Sequence, residues 1–558
     1  MTSGAVTRDV GERAVGAVLG ANPFVRLDPT ETLAATGKVA VRALTRPASL
    51  WRNGRALAAG SRAILTGEGD SSESGDRRFV DPSWQTNFFY RRWRQVYRVL
   101  ERELKSLPDN VSIDERDAAK ARFLLSLLAD AAAPTNLLVG NPAALRRVRQ
   151  TRGRSLVAGA RNLVDDVRHN GAMPAMVDTD PFTVGETTAV TPGAVVYRTE
   201  VLELIQYEPT TPQVQRCPLL VVPPQINKFY ILDLAPGRSL VEHAVSRGQQ
   251  VFMISWRNPG AEHREWDLTR YVAETERAFA VARRITRASV NIVGACSGGI
   301  TTAAALAHLA GRESVRVGAV TFLVTVLDTE APSALTMFGT DRAVARAIKR
   351  SLRRGVLEGK ELSRAFAWLR PNDLVWSYWV NNYLLGNDPP AFDVLAWNAD
   401  TTNLTAGLHV DFLRILAANA FAYPRSFEIG RVPVDLRNVA LDSYVVGALT
   451  DHITPWKACY RTPFLLGGES QFVLSSSGHI QALVNPPGNA KSRFLTNPAL
   501  PDEPDEWLSG ASEQHGTWWD HWLDWLSTRS GDERRAPRRL GSAAYPALDP
   551  APGLYVHG

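Results

Sequence analysis

The tightest constraint in this chain is a glycine-rich turn caught between two apolar segments. The run SVNIVG (289–294) reads as a buried strand, and the alanine-rich TTAAALAHLA (301–310) reads as a helix. Between them lies Gly294-Ala295-Cys296-Ser297-Gly298-Gly299. A strand that passes straight into a helix brings two backbones close together, and glycines on both sides of the central residue permit that approach. The central residue is held in a strained backbone conformation with its side chain at the tip of the turn. Here that residue is Cys296, where turns of the G-x-S-x-G type carry serine. The N-terminus of the following helix favours negative charge at the same spot.

The surroundings suit such a turn. From about residue 195, apolar runs alternate with helical stretches: Pro218–Val222, Gln250–Trp256, Ser289–Gly294 and Val315–Val324 as strands, and Leu268–Thr286 as a long amphipathic helix. Alternation of this kind predicts a mostly parallel sheet covered on both faces. The pattern breaks between about 326 and 435, a Trp-, Asn- and Leu-rich stretch that reads as a helical insertion, and resumes with strands at Val439–Ala448 and Gln471–Ser475. Before residue 190 the chain reads as helical. GEGDSSESGDRR (67–78) is an expected linker or exposed loop, and Phe88, Phe89, Trp93, Tyr97, Leu100 and Leu104 form an expected core stripe of one helix. The predicted architecture is an α/β-hydrolase-fold catalytic domain (191–558) with a cap insertion at about 326–435, preceded by a mainly helical domain (1–190).

That fold places nucleophile, acid and histidine in this chain order. After Cys296, the strand-like ALDSYVVGA ends at Leu449-Thr450-Asp451-His452. Thr454 and Pro455 read as the N-cap and first residue of the next helix, so Asp451 is not needed as a cap and is the candidate acid. Gly478-His479 follows what reads as the final strand, where the base belongs. His452 is a rival, read as a pocket-lining residue beside the acid. A second oxyanion donor must come from the loop after an earlier strand, Val222-Pro223-Pro224-Gln225-Ile226-Asn227. Neither proline has an N–H, so Gln225 or Ile226 must donate. Ile226 and Ser297 are the expected pair.

Composition limits the alternatives. Lys and Arg total 63 against 57 Asp and Glu, a net charge of +6 spread along the chain rather than in blocks, which is a weak signal for nucleic acid. Three cysteines in 558 residues give no disulfide framework, fit a reducing cytoplasm, and show no metal-ligand spacing. No cofactor or metal is expected. The first residues, MTSGAVTRDVGERAV, carry early charges and no apolar core, so no signal peptide is expected. No apolar run reaches membrane-spanning length.

Beyond these readings, the motifs GACSGG, VVPPQINKFYILDL (221–234), ISWRNP (254–259), LRPNDLVW (369–376), NNYLLGN (381–387), DHITPW (451–456) and SGHI with NPPG (477–488) resemble the polyhydroxyalkanoate synthases. The likeness is greatest to the single-chain subgroup acting on medium-chain monomers, which carries Ala and Ser around its cysteine as Ala295 and Ser297 do here. It implies Cys296 as nucleophile, His479 as base and Asp451 as third member. The implied substrates are a 3-hydroxyacyl-coenzyme A thioester and the growing polyester chain, with coenzyme A as product. It also implies a homodimer, attachment to cytoplasmic polyester granules, and a cap formed by the insertion. Trp368, Trp376, Trp379 and Trp397 would keep that cap dry, and Arg370 is one basic residue that would meet coenzyme A phosphates. A thioesterase or polyester depolymerase with the same triad is the first alternative, and a non-catalytic granule-coat protein the second. Either His479 or Asp451 would deprotonate the 3-hydroxyl.

Overall fold

The computed structural model describes residues 33, 36–42, 55, 62 and 76–558, except 112, 311–316, 331–340, 370 and 452. Its contacts divide the chain into two compact units.

Of the described residues, the first unit holds those up to Asp178 together with those of Ala367–Ala391. Its main helices are α1 (Phe88–Ser106), α2 (Glu115–Ala131), α3 (Pro142–Gln150) and α4 (Arg154–His169). Asn87 caps α1 by accepting the Phe89 and Tyr90 N–H groups. The expected aromatic stripe of α1 is only partly core: Tyr97 is buried, but Phe88, Phe89 and Leu100 are exposed. The physical reason lies on the face of α1 that carries Tyr97, which buries Glu101 and its ion partners rather than more apolar side chains. Arg78, at the end of the expected linker, donates to Asp76, Glu101, Asp130 and the Tyr97 hydroxyl, so this part of the linker is packed rather than exposed. The segment Ala367–Ala391 joins this unit through close backbone contact. Gly159 of α4 lies so near the Tyr383 carbonyl that a Cβ would come within 2.0 Å of its oxygen. Asn162 donates to the Asn382 and Asn387 carbonyls, and the Tyr383 hydroxyl to Asp166.

The second unit contains Thr179–Phe366 and Phe392–Gly558. Its strands are β1 (Gly193–Arg198), β2 (Leu202–Tyr207), β3 (Leu219–Val222), β4 (Val251–Trp256), β5 (Val290–Ala295), β6 (Val317–Leu323), β7 (Ser443–Ala448), β8 (Ser470–Ser475), β9 (Arg493–Thr496) and β10 (Ser512–His515). They form one sheet in the order β1-β2-β4-β3-β5-β6-β7-β8-β9-β10. The six strands from β4 to β8 are parallel, and the two at each edge are antiparallel. β3, β5 and β7 are buried along their whole length, as apolar runs covered on both faces should be.

The helices α5 (Leu268–Thr286), α6 (Ser297–Ala310) and α7 (Trp518–Ser527) pack against the sheet or its neighbours, with α5 capped by Asp267. Between β6 and β7, which are neighbours in the sheet, the described chain is mostly helical. Its strands there are two residues long. No described helix is long and apolar enough to cross a membrane.

Two strand expectations need correction. The strand placed at Val439–Ala448 starts at Ser443, because Leu436–Asn438 forms a helical turn and the residues after it pack against Gly467 and Gly468. The run before His479 is not the final strand: β9 and β10 follow it. β10 reads SEQH and is exposed throughout, so it owes its place to backbone pairing and carries no hydrophobic pattern.

Candidate functional site

The strand order decides what can meet. The chain leaves β3 towards β4 on one side and returns to β5 on the other, so the loops after β3 and β5 lie side by side at the carboxyl ends of the strands. The contact is direct: the Gln225 N–H donates to Ser297 Oγ at 3.1 Å.

Cys296 sits at the tip of the β5–α6 turn with φ +50°, the strained conformation expected of it. Its N–H bonds the Leu323 carbonyl at 2.9 Å, and its own carbonyl accepts from the Gly299 N–H at 2.9 Å. The glycines are sterically required. A Cβ on Gly298 would come within 2.3 Å of the Val222 carbonyl oxygen. One on Gly299 would lie 2.1 Å from Thr325 Oγ1, and one on Gly294 would lie 2.6 Å from Thr302 Oγ1.

Asp451 lies just past the end of β7 and His479 opens the short helix His479–Leu483 after β8; both are buried. Because β7 and β8 are parallel neighbours, these two ends are adjacent. His479 Nδ1 lies 2.7 Å from Asp451 Oδ2. A carboxylate only accepts, so Nδ1 carries the proton and Nε2 is left for another partner. The Cys296 side chain is near enough to act on the ring's charge and is among the groups that raise the imidazole pKa. Burial alone would push His479 towards its neutral form. The Asp451 charge and hydrogen bond, helped by Cys296, outweigh it and raise the imidazole pKa above its ordinary value. The same attraction, with the Thr454 hydrogen bonds, overcomes burial at Asp451 and holds the carboxyl below the ordinary carboxylate range.

Asp451 does not cap the next helix, as expected, but the reason given for it, Thr454 as the N-cap, is overturned. Pro455, not Thr454, is the N-cap of the helix Trp456–Cys459, and no side chain caps it. Asp451 organises the turn itself: Oδ1 accepts the Ile453 N–H at 2.8 Å and the Thr454 N–H at 3.0 Å, while Oδ2 accepts the Thr454 hydroxyl at 2.6 Å. Thr454 Oγ1 also lies 3.1 Å from His479 Nδ1, a position the sequence reading missed by assigning Thr454 to the helix. The Cys459 thiol donates to the Thr454 carbonyl at 3.5 Å from below.

Of the two donors left open in the β3 loop, the Gln225 N–H is occupied by Ser297 Oγ. Neither the Ile226 nor the Ser297 N–H has a protein acceptor among the described residues. The loop is fixed from several directions. Trp256 Nε1 donates to the Pro223 carbonyl at 3.0 Å, Thr402 Oγ1 to the Gln225 carbonyl at 2.9 Å and Trp397 Nε1 to the Lys228 carbonyl at 2.8 Å. Of the four insertion tryptophans, Trp397 is therefore in the site's own unit, whereas Trp368, Trp376 and Trp379 belong to the first unit. His452 and Arg370 lie outside the described residues. Other histidines have structural partners: His409 meets Ser351, His308 meets Glu276 and His521 meets the Tyr444 hydroxyl.

These features define an α/β-hydrolase-fold protein with cysteine at its elbow. Residues 218–486 match the alpha/beta hydrolase fold family, and residues 75–244 match the family described as the N-terminus of poly-beta-hydroxybutyrate polymerase (PhaC). The chain is 44% identical to poly(3-hydroxyalkanoate) polymerase 1 of Ectopseudomonas oleovorans over 97% of each chain. It is 48% identical to polymerase 2 of the same organism over 86% of each. It is 42% identical to the polymerase subunit PhaC of Cupriavidus necator, over 88% of this chain and 85% of that one. The chain belongs to the poly(3-hydroxyalkanoate) polymerase family and is an acyltransferase, as the motif resemblance implied.

Proposed function

We propose that this chain builds a polyhydroxyalkanoate from 3-hydroxyacyl-coenzyme A, releasing coenzyme A, through an acyl thioester on Cys296. His479 Nε2 takes the thiol proton, and the sulfur attacks the thioester carbonyl. The Ser297 and Ile226 N–H groups would receive the oxyanion, each typically worth about 3–4 kcal/mol. The tetrahedral intermediate collapses with loss of the coenzyme A thiolate, which leaves with the proton from His479. One thioester replaces another, so the acyl group stays activated. The 3-hydroxyl oxygen of a second unit or chain end then attacks the Cys296 thioester. Its proton goes to His479, an ester bond forms, and the Cys296 sulfur leaves and is reprotonated.

The observation that carries this reading is the His479 ring, held by Asp451 through Nδ1 and with its pKa raised by Asp451 and by the neighbouring Cys296. The geometry also favours His479 over Asp451 as base for the hydroxyl step. Asp451 is buried and accepts four hydrogen bonds, three from Ile453 and Thr454 and one from His479. Family membership adds the expectation of medium-chain monomers, a homodimer and attachment to cytoplasmic polyester granules. The test is the product formed from 3-hydroxyacyl-coenzyme A by purified protein. Insoluble polyester with stoichiometric coenzyme A release supports the reading; soluble hydroxy acid alone would assign a thioesterase, and no turnover a coat protein.

A further inference from the structure

The opposite end of the same sheet carries a feature the proposed chemistry does not use. A cavity of about 850 Å³ opens there, lined by Arg216, Cys217, Arg283, Arg284, Arg287 and Gly531 among others, with no carboxylate among its described lining residues. Cys217 shortly precedes β3, and the lining residue Ser289 immediately precedes β5. The cavity is therefore at the amino ends of strands whose carboxyl ends face Cys296, about 20 Å away by strand rise.

Arg216, Arg284 and Arg287 form no ion pair among the described residues, and Arg284 donates to the neutral Tyr545 hydroxyl at 2.6 Å. Arg534 stands beside Cys217 and Arg216, and among the described residues it too finds only neutral acceptors, the Thr286 carbonyl at 2.7 Å and Gln250 Oε1 at 3.1 Å. Burial chiefly, with added repulsion from Arg216, lowers the Arg534 pKa. The C-terminus of α5 accounts for part of this arginine cluster, since Arg284 lies in its last turn and Arg287 is its C-cap. A helix end supplies only about half a negative charge, against four guanidiniums. Arg216 and Arg534, moreover, come from other segments. Planar guanidiniums converging on a cavity of small-molecule size match the oxygens of clustered phosphates.

We propose that this cavity binds a multiply phosphorylated small molecule at a site separate from the Cys296 centre. Clustered phosphates could come from the nucleotide end of a coenzyme or from an inorganic polyphosphate. The full chain would be titrated with adenosine 3′,5′-bisphosphate and with inorganic tripolyphosphate, following both calorimetric binding and the rate of Cys217 alkylation by iodoacetamide in a Cys296→Ala background. Saturable binding of either probe that slows Cys217 alkylation at least tenfold is expected. Tighter binding of the bisphosphate would point to a nucleotide, and tighter binding of tripolyphosphate to an inorganic chain. Arg284→Ala/Arg287→Ala, with Cys296 retained, should weaken binding at least tenfold and lower its salt dependence while coenzyme A release continues. If that variant releases no coenzyme A, Arg216→Gln serves instead, with the same expected loss. No binding at millimolar probe, or binding unchanged in the arginine variants, would overturn the proposal.

Discussion

The Cys296 turn and the Asp451–His479 pair belong to one candidate site but are built from different materials. The turn is shaped by backbone sterics: Gly294, Gly298 and Gly299 sit where any Cβ would collide with a neighbour. The pair is shaped by polar side chains, with Asp451 gathering two backbone N–H groups, the Thr454 hydroxyl and the His479 ring. The first kind of order leaves a strict motif in the sequence. The second does not, because many residues could hold a carboxylate in place. Damage should follow the same division. Steric changes at the turn should cost folding, and polar changes around the pair should cost rate first.

The largest effect is expected from Cys296→Ala, which should lower coenzyme A release by on the order of 10⁴-fold or more while leaving the melting temperature nearly unchanged. Retained release in this variant would break the account of the turn. Gly298→Ala comes next. Its methyl would meet the Val222 and Pro223 carbonyls, and about 3 kcal/mol of stability should be lost in denaturant unfolding. A smaller loss would mean that the turn relaxes and is less rigid than described.

Thr454→Val should act in the opposite way. Removing the hydroxyl from Asp451 Oδ2 should cost about 1 kcal/mol of stability, yet lower kcat roughly tenfold at similar KM, with rescue by Thr454→Ser. If Val is as active as Thr, the hydroxyl does not help position the carboxylate.

The smallest effect concerns pH and needs its sign stated. His479 is raised, so its contribution is complete below the ordinary imidazole value and fades as pH climbs towards its folded value. Asp451 is lowered, so its contribution is complete above the ordinary carboxylate value and fades as pH falls. The stability difference between wild type and Asp451→Asn should therefore peak at about pH 4–6.5 and shrink on either side. A flat difference across pH 4–9 would mean the pair is not charged.

Much of this was legible in the sequence for definable reasons. β3 to β8 and α5 show themselves because burial on one or both faces demands apolar runs or helical periodicity. The turn shows itself through its glycines. What escaped was set by tertiary contact. β9 and β10 are short edge strands, one wholly polar. Phe88 and Phe89 have the spacing of a core stripe, yet α1 turns Glu101 inward to meet Arg78. The 367–391 segment pairs with α4 through Gly159, a contact invisible in either stretch alone. Thr454 was visible but misread, since a threonine before a proline is also what a helix start looks like.

The most direct measurement is mass spectrometry of protein quenched in acid within milliseconds of mixing with 3-hydroxyacyl-coenzyme A. The account predicts a mass increase of one or more hydroxyacyl units, confined to the peptide containing Cys296 and absent from Cys296→Ala. An acyl group trapped on a different side chain, or polymer forming with Cys296 never modified, would contradict it.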